Sequence, residues 1–348
     1  MNLIDYGFIP TMLPENSGGT PARITATHRN RYEFISDDAK GFATLKTGEY
    51  YNNKENSIPT TGDFVLLDYI EGSESRIIKT LPRNSYFSRL DPSSSGHGEQ
   101  AVAANFDYVF IIQSLNHDFN PNRLQRYLAL AWQSGAIPAV ILTKADLVED
   151  FTPQIRTVEK LCVGISVFAI STKTGYGLEM LNEYMKPRKT IVFLGSSGVG
   201  KSSLVNTLAG SDVMNVREIR EDDSRGRHAT THRQLIMLPT GVMVIDTPGM
   251  RELGMWNASD GLAQSFSDVE QYFGKCKFKD CKHDSEPGCA IKKAIEDGEL
   301  SPSRWENYKN LKDEVKYSDN KAEYLRQKEQ WHKNITKTIK QMKQFDKI

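Results

Sequence analysis

The stretch that most constrains the fold is "GSSGVGKS", which begins at Gly195 and has the spacing G-x-x-x-x-G-K-S. Glycines at these positions let a backbone close around phosphate groups with its N–H groups turned inward. The apolar run "TIVFL" precedes the stretch, and "SSLVNTLAG", which favours a helix, follows and overlaps its end. A strand, this loop and a helix in succession predict a phosphate-binding loop in an α/β domain.

Within this loop, Lys201 and Ser202 have distinct predicted tasks. The lysine places a positive charge at the β- and γ-phosphates, and the serine hydroxyl is a suitable ligand for Mg²⁺. The helix that follows points the positive end of its dipole at the same anion. The predicted nucleotide contacts of the loop are Gly195, Ser196, Ser197, Gly198, Val199, Gly200, Lys201, Ser202 and Ser203.

Two more motifs follow the loop along the chain. In "VMVIDTPG" an apolar strand ends at Asp246, which can hold Mg²⁺, and Gly249 can offer its N–H to a γ-phosphate. The polar segment "DDSRGRHATTHR" lies between the loop and this strand and is predicted to be a switch loop. Thr231 is slightly preferred over Thr230 as the Mg²⁺ ligand from that segment.

A motif upstream of the phosphate loop predicts which base is bound. In "ILTKAD", Asp146 follows an apolar strand, and its carboxylate can accept from the N1–H and amine of guanine, which adenine cannot supply. The stem of Lys144 can cover the base, and Thr143 stands where many GTP-binding chains have asparagine. After a second strand, "VFAIS", backbone N–H groups could meet the guanine oxygen at Ser171, Thr172 and Lys173.

The order of these motifs is unusual, because the phosphate loop comes first in most GTP-binding domains. Here the base motif and its companion come first, followed by the phosphate loop, the switch threonines and D-T-P-G. Each of the five motifs follows the kind of segment that it requires, and chance does not explain five such matches in one chain. The order therefore predicts a circularly permuted GTPase, a rearrangement that is tolerated because domain ends often lie close together.

The residue after D-T-P-G is Met250, which cannot orient an attacking water as a glutamine does in other GTPases. We therefore expect slow intrinsic hydrolysis. His228, in the predicted switch loop, is the candidate catalytic residue because an imidazole can position or polarise water. The alternative for His228 is an exposed loop histidine with no catalytic task.

The run "CKFKDCKHDSEPGC" predicts a metal site. Three thiolates and one imidazole form a closed tetrahedral set, which is typical of structural rather than catalytic zinc. The alternative, separately buried cysteines, suits these polar surroundings poorly. The predicted zinc ligands are Cys276, Cys281, His283 and Cys289.

Changes in composition and hydropathy pattern along the chain predict a multi-domain protein. Residues 1–90 carry short β-rich runs separated by turn clusters, which favour a small barrel or sandwich, and residues 91–104 have the composition of a linker. Residues 105–256 alternate apolar strands with helical segments, as an α/β domain does, and residues 257–348 are charged and helical. We expect nucleotide state to move the C-terminal region, because D-T-P-G leads directly into it, whereas the N-terminal β domain joins on the guanine-reading side.

Charge and hydropathy narrow the setting. The formal net charge is zero, so any nucleic-acid contact must use local patches. No apolar run approaches the roughly 18 residues of a membrane helix, and "MNLIDYGFIP" lacks the pattern of a signal peptide. These features predict a cytoplasmic protein that does not bind membranes.

Taken together, these motifs resemble the ribosome small-subunit-dependent GTPases of the RsgA or YjeQ family over nearly the whole chain. The resemblance rests on "PTTGDFV", "NSYFSR", the permuted motif series, "DTPGMRELG" and "CKFKDCKHDSEPGCAI". It implies an N-terminal OB-fold that contacts RNA, a permuted GTPase that uses GTP, GDP and Mg²⁺, and a C-terminal domain with one structural Zn²⁺. It further implies late maturation of the small ribosomal subunit, with hydrolysis stimulated by that subunit, and a monomer whose partners are the subunit and rRNA.

At single positions, His228 matches the family's histidine, while Ala229 replaces the first threonine of the usual "GRHTTT", so Thr230 and Thr231 both stay open as Mg²⁺ ligands. An alternative function is an RNA-binding assembly factor that senses GTP with negligible catalysis. A metabolic ATPase is a third possibility, against which Asp146 argues. The β region offers RNA-contact candidates, which are Arg83, Tyr86, Phe87 and Arg89. Their alternative is strand-packing aromatic residues with solvated arginines.

Overall fold

The computed structural model describes residues 2–15, 18–29, 31–37, 39–46, 48, 50, 57–90, 99–116, 118–214, 233–246, 253–284 and 286–320. The chain forms two compact units. One comprises Met1–Phe87 and Ala101–Glu252, and the other comprises Ser88–Gln100 and Leu253–Ile348. The first unit therefore contains both the N-terminal β region and most of the nucleotide domain, while the predicted domain boundaries stay predictions.

The N-terminal region is a closed five-stranded barrel, with the strand order β1-β2-β3-β5-β4 and a further pairing of β4 with β1. The strands are β1 (Thr20–Thr27), β2 (Tyr32–Ile35), β3 (Lys40–Leu45), β4 (Phe64–Asp68) and β5 (Ser75–Thr80). Strands β3 and β5 run parallel, and the other barrel pairs are antiparallel. Ile24, Phe34, Val65, Leu67 and Ile77 fill the interior, which confirms the predicted all-β barrel.

The nucleotide domain is built on a six-stranded part of the same sheet, with the order β10-β9-β8-β11-β13-β12. All neighbours are parallel except β12, which is antiparallel to β13. The strands are β8 (Tyr108–Ser114), β9 (Ile137–Thr143), β10 (Val167–Ala169), β11 (Thr190–Leu194), β12 (Arg233–Met237) and β13 (Met243–Asp246). The helices are α1 (Pro121–Gln133), α2 (Thr152–Leu161) and α3 (Lys201–Ala209), with 3-10 helices at Ala145–Leu147 and Leu178–Glu183.

The position of each strand confirms the circular permutation. The strand of the phosphate loop, β11, is internal to the sheet, between β8 and β13. The two strands of the base motifs, β9 and β10, precede it in the chain and lie at one edge. Every residue of β11 is buried, which is why its sequence is continuously apolar after Thr190 rather than alternating.

The barrel joins the nucleotide sheet at the edge opposite the base motifs, because β1 pairs with β12. The expectation that the β domain joins on the guanine-reading side is therefore wrong. The barrel precedes β8 in the chain, which favours a position near the base motifs. Its position is instead determined by the pairing of β1 with β12, a strand from much later in the chain. Ala26 is paired with Gln234, and Thr27 with Arg233.

Arg23 of β1 is buried at this junction, with 1% of its surface exposed. Its guanidinium donates to the carbonyls of Tyr6 (2.5 Å) and Asn105 (2.8 Å) and lies 3.1 Å from the Thr190 hydroxyl. Burial lowers the pKa of Arg23 to about 10, so the group is still charged at neutral pH. A buried charge is tolerated only when its donors are satisfied, and here the acceptors come from both the barrel and the nucleotide domain.

Strands β6 (Tyr86–Leu90) and β7 (Glu99–Ala104) form a separate two-stranded sheet. From Leu253 onward the regular structure described in the second unit is helical, with α4 (Ser259–Ser265), α5 (Ser267–Glu270), α6 (Ala290–Glu296) and a longer helix, α7, over residues 302–320. Arg304 of α7 donates to both carboxylate oxygens of Asp268 and stacks over Phe266 at 3.9 Å, which fixes α7 to α5. No helix in the described part of the chain has both the length and the apolar character that a membrane span needs.

Candidate nucleotide site and metal cluster

The phosphate loop connects the carboxyl end of β11 to the first turn of α3. Gly195 has a φ of +157°, and a Cβ there would lie 2.5 Å from the carbonyl oxygen of Ile112, so only glycine fits. Gly200 has a φ of +98° and directly precedes α3. These two glycines let the backbone curve tightly between strand and helix, as a loop that surrounds phosphate groups must do.

Lys201 bends back over this loop. Its Nζ donates to the carbonyl of Gly195 at 2.8 Å and also to that of Ser196. The ammonium is thus held at the loop backbone by neutral carbonyl groups. A phosphate is a stronger partner for an ammonium than a carbonyl, because both members of that pair are charged. The lysine fits its predicted task of neutralising a bound phosphate.

Thr143 links the base motif to the phosphate loop. Its side chain is buried, and its hydroxyl donates to the carbonyl of Val199 at 2.5 Å and lies 3.2 Å from that of Gln113. Thr143 and Val199 are 56 positions apart in the chain. The structure therefore brings the two motifs into direct contact, and it gives Thr143 a bracing role rather than one at the surface of the site.

The two guanine motifs also meet. The hydroxyl of Ser171, which is fully buried, donates to Oδ1 of Asp146 at 2.6 Å, while the carboxylate itself is exposed. The Ser171 oxygen accepts from the backbone N–H groups of Lys173 (3.3 Å) and Thr174 (3.2 Å). Lys144 adopts a left-handed φ of +60°, which turns the chain between β9 and the aspartate. A fixed, exposed carboxylate is what recognition of guanine requires.

Asp246 is the last residue of β13, the parallel neighbour of β11. Since the carboxyl ends of parallel strands meet at one edge of a sheet, Asp246 and the phosphate loop lie at the same edge. Ser202, in the first turn of α3, belongs to that edge as well. A carboxylate and a hydroxyl are oxygen ligands of the kind that Mg²⁺ prefers, so these residues fit the ion.

The cysteine–histidine cluster forms as predicted. The possible ligand atoms of Cys276, Cys281, His283 and Cys289 all lie within 4.8 Å of one another. Nδ1 of His283 lies 3.5 Å, 3.7 Å and 3.4 Å from the sulfur atoms of Cys276, Cys281 and Cys289. A tetrahedral zinc ion with ordinary bond lengths would separate nitrogen and sulfur by about 3.5 Å. The cluster could therefore hold a metal ion with little rearrangement.

Comparison with known proteins identifies the family. The RsgA GTPase model matches residues 80–256. Small ribosomal subunit biogenesis GTPase RsgA 2 of Listeria monocytogenes serotype 4b is 44% identical over 344 residues, which cover 98% of this chain and 97% of the relative. This chain belongs to the RsgA GTPase family. It is therefore a GTP hydrolase by family, and the predicted enzyme class is confirmed.

Other relatives agree with this assignment. Small ribosomal subunit biogenesis GTPase RsgA of Methanosarcina acetivorans is 39% identical, over 93% of this chain and 87% of the relative. The crystal structure of YjeQ from Thermotoga maritima superposes with a TM-score of 0.61 at 26% identity, covering 84% of this chain and 96% of that one. YloQ, described as a circularly permuted GTPase, has the same fold with a TM-score of 0.59 at 24% identity, covering 87% and 97%.

Four predicted site residues lie outside the described part of the chain: His228, Thr230, Thr231 and Gly249. Their roles in this RsgA-family chain stay predictions. Ser171 is buried, Thr172 is half-buried and Lys173 is exposed, and all three residues of the companion motif lie in the segment that follows β10.

Two of the RNA-contact candidates are instead used within the fold. Arg83 forms a two-pronged ion pair with Asp63, which is fully buried, through bonds of 2.8 Å and 2.7 Å. Phe87 is 3% exposed and stacks on Phe106 with ring centroids 4.9 Å apart. Phe87 therefore packs within the fold, which is the alternative for the aromatic candidates, whereas Arg83 is bound to a buried carboxylate rather than solvated.

Residues that sequence reasoning missed support the sites from outside the motifs. The ring of His283 stacks on Phe273 (5.1 Å between centroids) and meets Trp305 of α7 edge-on at 5.8 Å. These aromatic residues lie outside the cysteine run, and no spacing rule connects them to it. Only the aromatic content of residues 266–308 could have suggested such a cluster.

Asp146→Asn should lower GTP affinity by at least about 100-fold, because a site built to hydrogen-bond a polar group rejects a ligand that leaves donors unpaired. The asparagine amide cannot accept from both guanine donors. Binding of fluorescent GTP and of xanthosine triphosphate measures the effect, and the variant should favour the xanthine base, whose 2-carbonyl accepts from the amide. Asp150→Asn, an exposed aspartate near the same motif, is the matched control and should bind GTP as the wild type does. Equal GTP affinity in wild type and Asp146→Asn would contradict the base assignment.

Proposed function

We propose that this GTPase acts on the small ribosomal subunit during its assembly and that the subunit stimulates its hydrolysis of GTP. The observation that carries the proposal is the contact between the base motif and the phosphate loop through Thr143 and Val199 in a permuted sheet. It occurs in a chain that is 44% identical, over nearly its full length, to a relative named for small ribosomal subunit biogenesis.

In this proposal the chain's own groups divide the work of nucleotide binding. The loop from Gly195 to Ser203 surrounds the phosphates, and Lys201 neutralises part of their charge. Asp146 accepts hydrogen bonds from guanine, and the Ser171 hydroxyl holds that carboxylate in place. The proposed Mg²⁺ ligands are Ser202, Thr231 and Asp246, with Thr230 as the alternative threonine. Mg²⁺, when bound, offsets the charge that develops on the phosphate oxygens.

His228 is the proposed catalytic residue, and Met250 follows D-T-P-G, so we infer slow turnover of the isolated protein. Slow intrinsic hydrolysis suits a GTPase that remains bound to GTP until its partner stimulates hydrolysis. The proposed structural ion at Cys276, Cys281, His283 and Cys289 is Zn²⁺, which the ligand chemistry favours because thiolates and imidazole together select zinc. Contact with rRNA, a monomeric state and a cytoplasmic location also belong to the proposal.

Measuring GTP hydrolysis with and without purified small ribosomal subunits tests the proposed function. Small subunits should raise turnover by at least about tenfold, a modest part of what partner-supplied groups achieve in other GTPases. Large subunits at the same concentration are the control and should have no effect. If small subunits bind but leave turnover unchanged, the chain is better described as an RNA-binding factor that senses GTP with negligible catalysis.

A further inference from the structure

His283 reaches the cysteine cluster through a turn in the backbone. One residue separates it from Cys281, and its φ of +65° lies in the left-handed region, which histidine adopts more readily than most residues do. The turn places Nδ1 of the ring at nearly equal distances, between 3.4 Å and 3.7 Å, from the three sulfur atoms of the cluster. The torsion about the Cβ–Cγ bond of a histidine has only a broad preference, so the backbone by itself does not fix the plane of the ring.

Two aromatic side chains restrict that plane. The Phe273 ring stacks on the imidazole, with 5.1 Å between the centroids and 18° between the planes. Trp305 of α7 meets the imidazole edge-on, at 5.8 Å and 83°. One nearly parallel neighbour and one nearly perpendicular neighbour limit both the tilt and the rotation of the imidazole, because either movement disrupts one of these favourable ring contacts.

The two aromatic side chains are themselves held in place by Tyr308 of α7, which is 1% exposed. Its ring stacks on Trp305 with 5.6 Å between the centroids, and its centroid lies 5.6 Å from that of Phe273. Its hydroxyl donates to the carboxylate of Glu270 at 2.5 Å. The ammonium of Lys312 lies over the rings of Phe273 and Tyr308, at 4.8 Å and 5.1 Å from their centroids. Phe273 is therefore fixed by contacts other than the one with the imidazole, so its ring can hold the imidazole rather than follow its movement.

We propose that Phe273 is a positioning residue of the metal site, whose ring holds the plane of the His283 imidazole so that the Nδ1 lone pair points between the three sulfur atoms. The lone pair of a ring nitrogen lies in the ring plane, so a tilt of the plane directs it away from the ion. Metal-bound histidines are usually oriented by hydrogen bonds from carboxylate, carbonyl or water oxygens outside the ligand set. Here a stacked apolar ring orients the ligand. This inference rests on the zinc ion of the proposed function.

Three variants of the full-length protein test the inference. Phe273→Leu keeps an apolar side chain but removes the flat ring, and Phe273→Tyr keeps the ring. Phe266→Leu is the matched control, because it is the same change at a fully buried ring in the same unit, which packs on Tyr308 (5.4 Å) and Arg304 (3.9 Å). For each variant, zinc affinity is measured by competition with a chromophoric chelator. The melting temperature and the visible absorption of the Co²⁺-substituted protein, which reports the coordination geometry, are measured as well.

Phe273→Leu should lower zinc affinity by about tenfold, the lower end of the range that loss of a group orienting a metal ligand produces. Its Co²⁺ absorption should shift, because the imidazole is no longer held with Nδ1 toward the ion. Phe273→Tyr should match the wild type in both measurements. Phe266→Leu should lower the melting temperature, since it removes volume from a packed interior, without changing the Co²⁺ absorption.

Three results would each overturn the inference while leaving the proposed ion intact. These are wild-type Co²⁺ absorption in Phe273→Leu, a tyrosine variant that behaves like the leucine variant, and an equal spectral change in Phe266→Leu. A wild-type protein that binds no zinc would contradict the proposed ion and overturn the inference with it. The two failures are therefore distinguishable, because the first appears only in the variants and the second already in the wild type.

Discussion

Lys201→Ala should lower GTP turnover by at least about 100-fold, since removing a group that stabilises charge at a reacting centre typically has an effect of that size. Its ammonium is held at the loop backbone by the carbonyls of Gly195 and Ser196, where a phosphate would replace neutral acceptors with charged ones. The expected result is loss of nucleotide affinity together with loss of turnover. Equilibrium binding of fluorescent GDP and steady-state release of phosphate measure the two effects.

Lys186→Ala is the matched control for this experiment. Lys186 is exposed and lies on the N-terminal side of β11, so its removal changes the net charge equally without changing the phosphate loop. The control should bind and hydrolyse GTP as the wild type does. Retention of wild-type turnover by Lys201→Ala would show that "GSSGVGKS" is not the phosphate loop of this enzyme.

Cys289→Ser should abolish stoichiometric zinc binding and destabilise the second unit. Cys289 is 3% exposed and lies 3.4 Å from Nδ1 of His283, so its thiolate would complete the ligand set inside the protein. Structural zinc contributes about 10–16 kcal/mol of apparent binding free energy in small zinc domains, and that energy stabilises the fold. Zinc content of the purified protein, and amide hydrogen exchange over residues 302–320, measure the outcome. Faster exchange is expected there because Trp305 and Phe273 pack against the His283 ring.

Cys162→Ser provides the control, because Cys162 is equally buried but lies outside the cluster. It should retain one zinc ion per chain even if burial of a hydroxyl lowers its melting temperature. A Cys289→Ser protein that keeps a full equivalent of zinc would contradict the proposed ligand set. Loss of zinc without any change in exchange would instead separate metal binding from the stability of α7.

The sequence indicates which segments meet at one edge of the nucleotide sheet because the signals for strands and turns are local. Each motif follows an apolar strand, and parallel strands place their carboxyl ends at one edge, so the placement of Asp146, Ser171 and the phosphate loop at that edge could be anticipated. The hydrogen bond from Thr143 to Val199 could not be anticipated, because the sequence does not indicate in which direction the threonine hydroxyl points. The burial of Thr143, which is 2% exposed, is a property of the folded sheet.

The junction between barrel and nucleotide sheet could not be predicted from the sequence, because its contacts join residues that are far apart in the chain. Nothing in the residues of β1 indicates that it pairs with β12, and a one-residue change of register would turn its side chains to the opposite face. Arg23 looks like an ordinary exposed strand arginine in the sequence, yet it is buried and bound by carbonyl groups from three parts of the chain. Likewise, the sequence does not show the ion pair of Arg83 with Asp63, because Asp63 precedes β4 and Arg83 follows β5. Arg83 is therefore a candidate RNA contact when only the sequence is considered.

The pairing of β1 with β12 also bears on how the chain reaches its folded state. During synthesis the barrel strands emerge long before β12, so Ala26 and Thr27 form part of an open strand edge until residue 234 has been made. Open edges invite pairing with other chains, and contacts so distant in sequence form slowly. Arg23 likewise lacks its acceptor on Asn105 until residue 105 has been made, and its neighbour Thr190 until residue 190 has been made. The barrel therefore gains its last contacts late in synthesis. The buried charge of Arg23 has all of its partners only after the phosphate-loop strand β11, which contains Thr190, has been made.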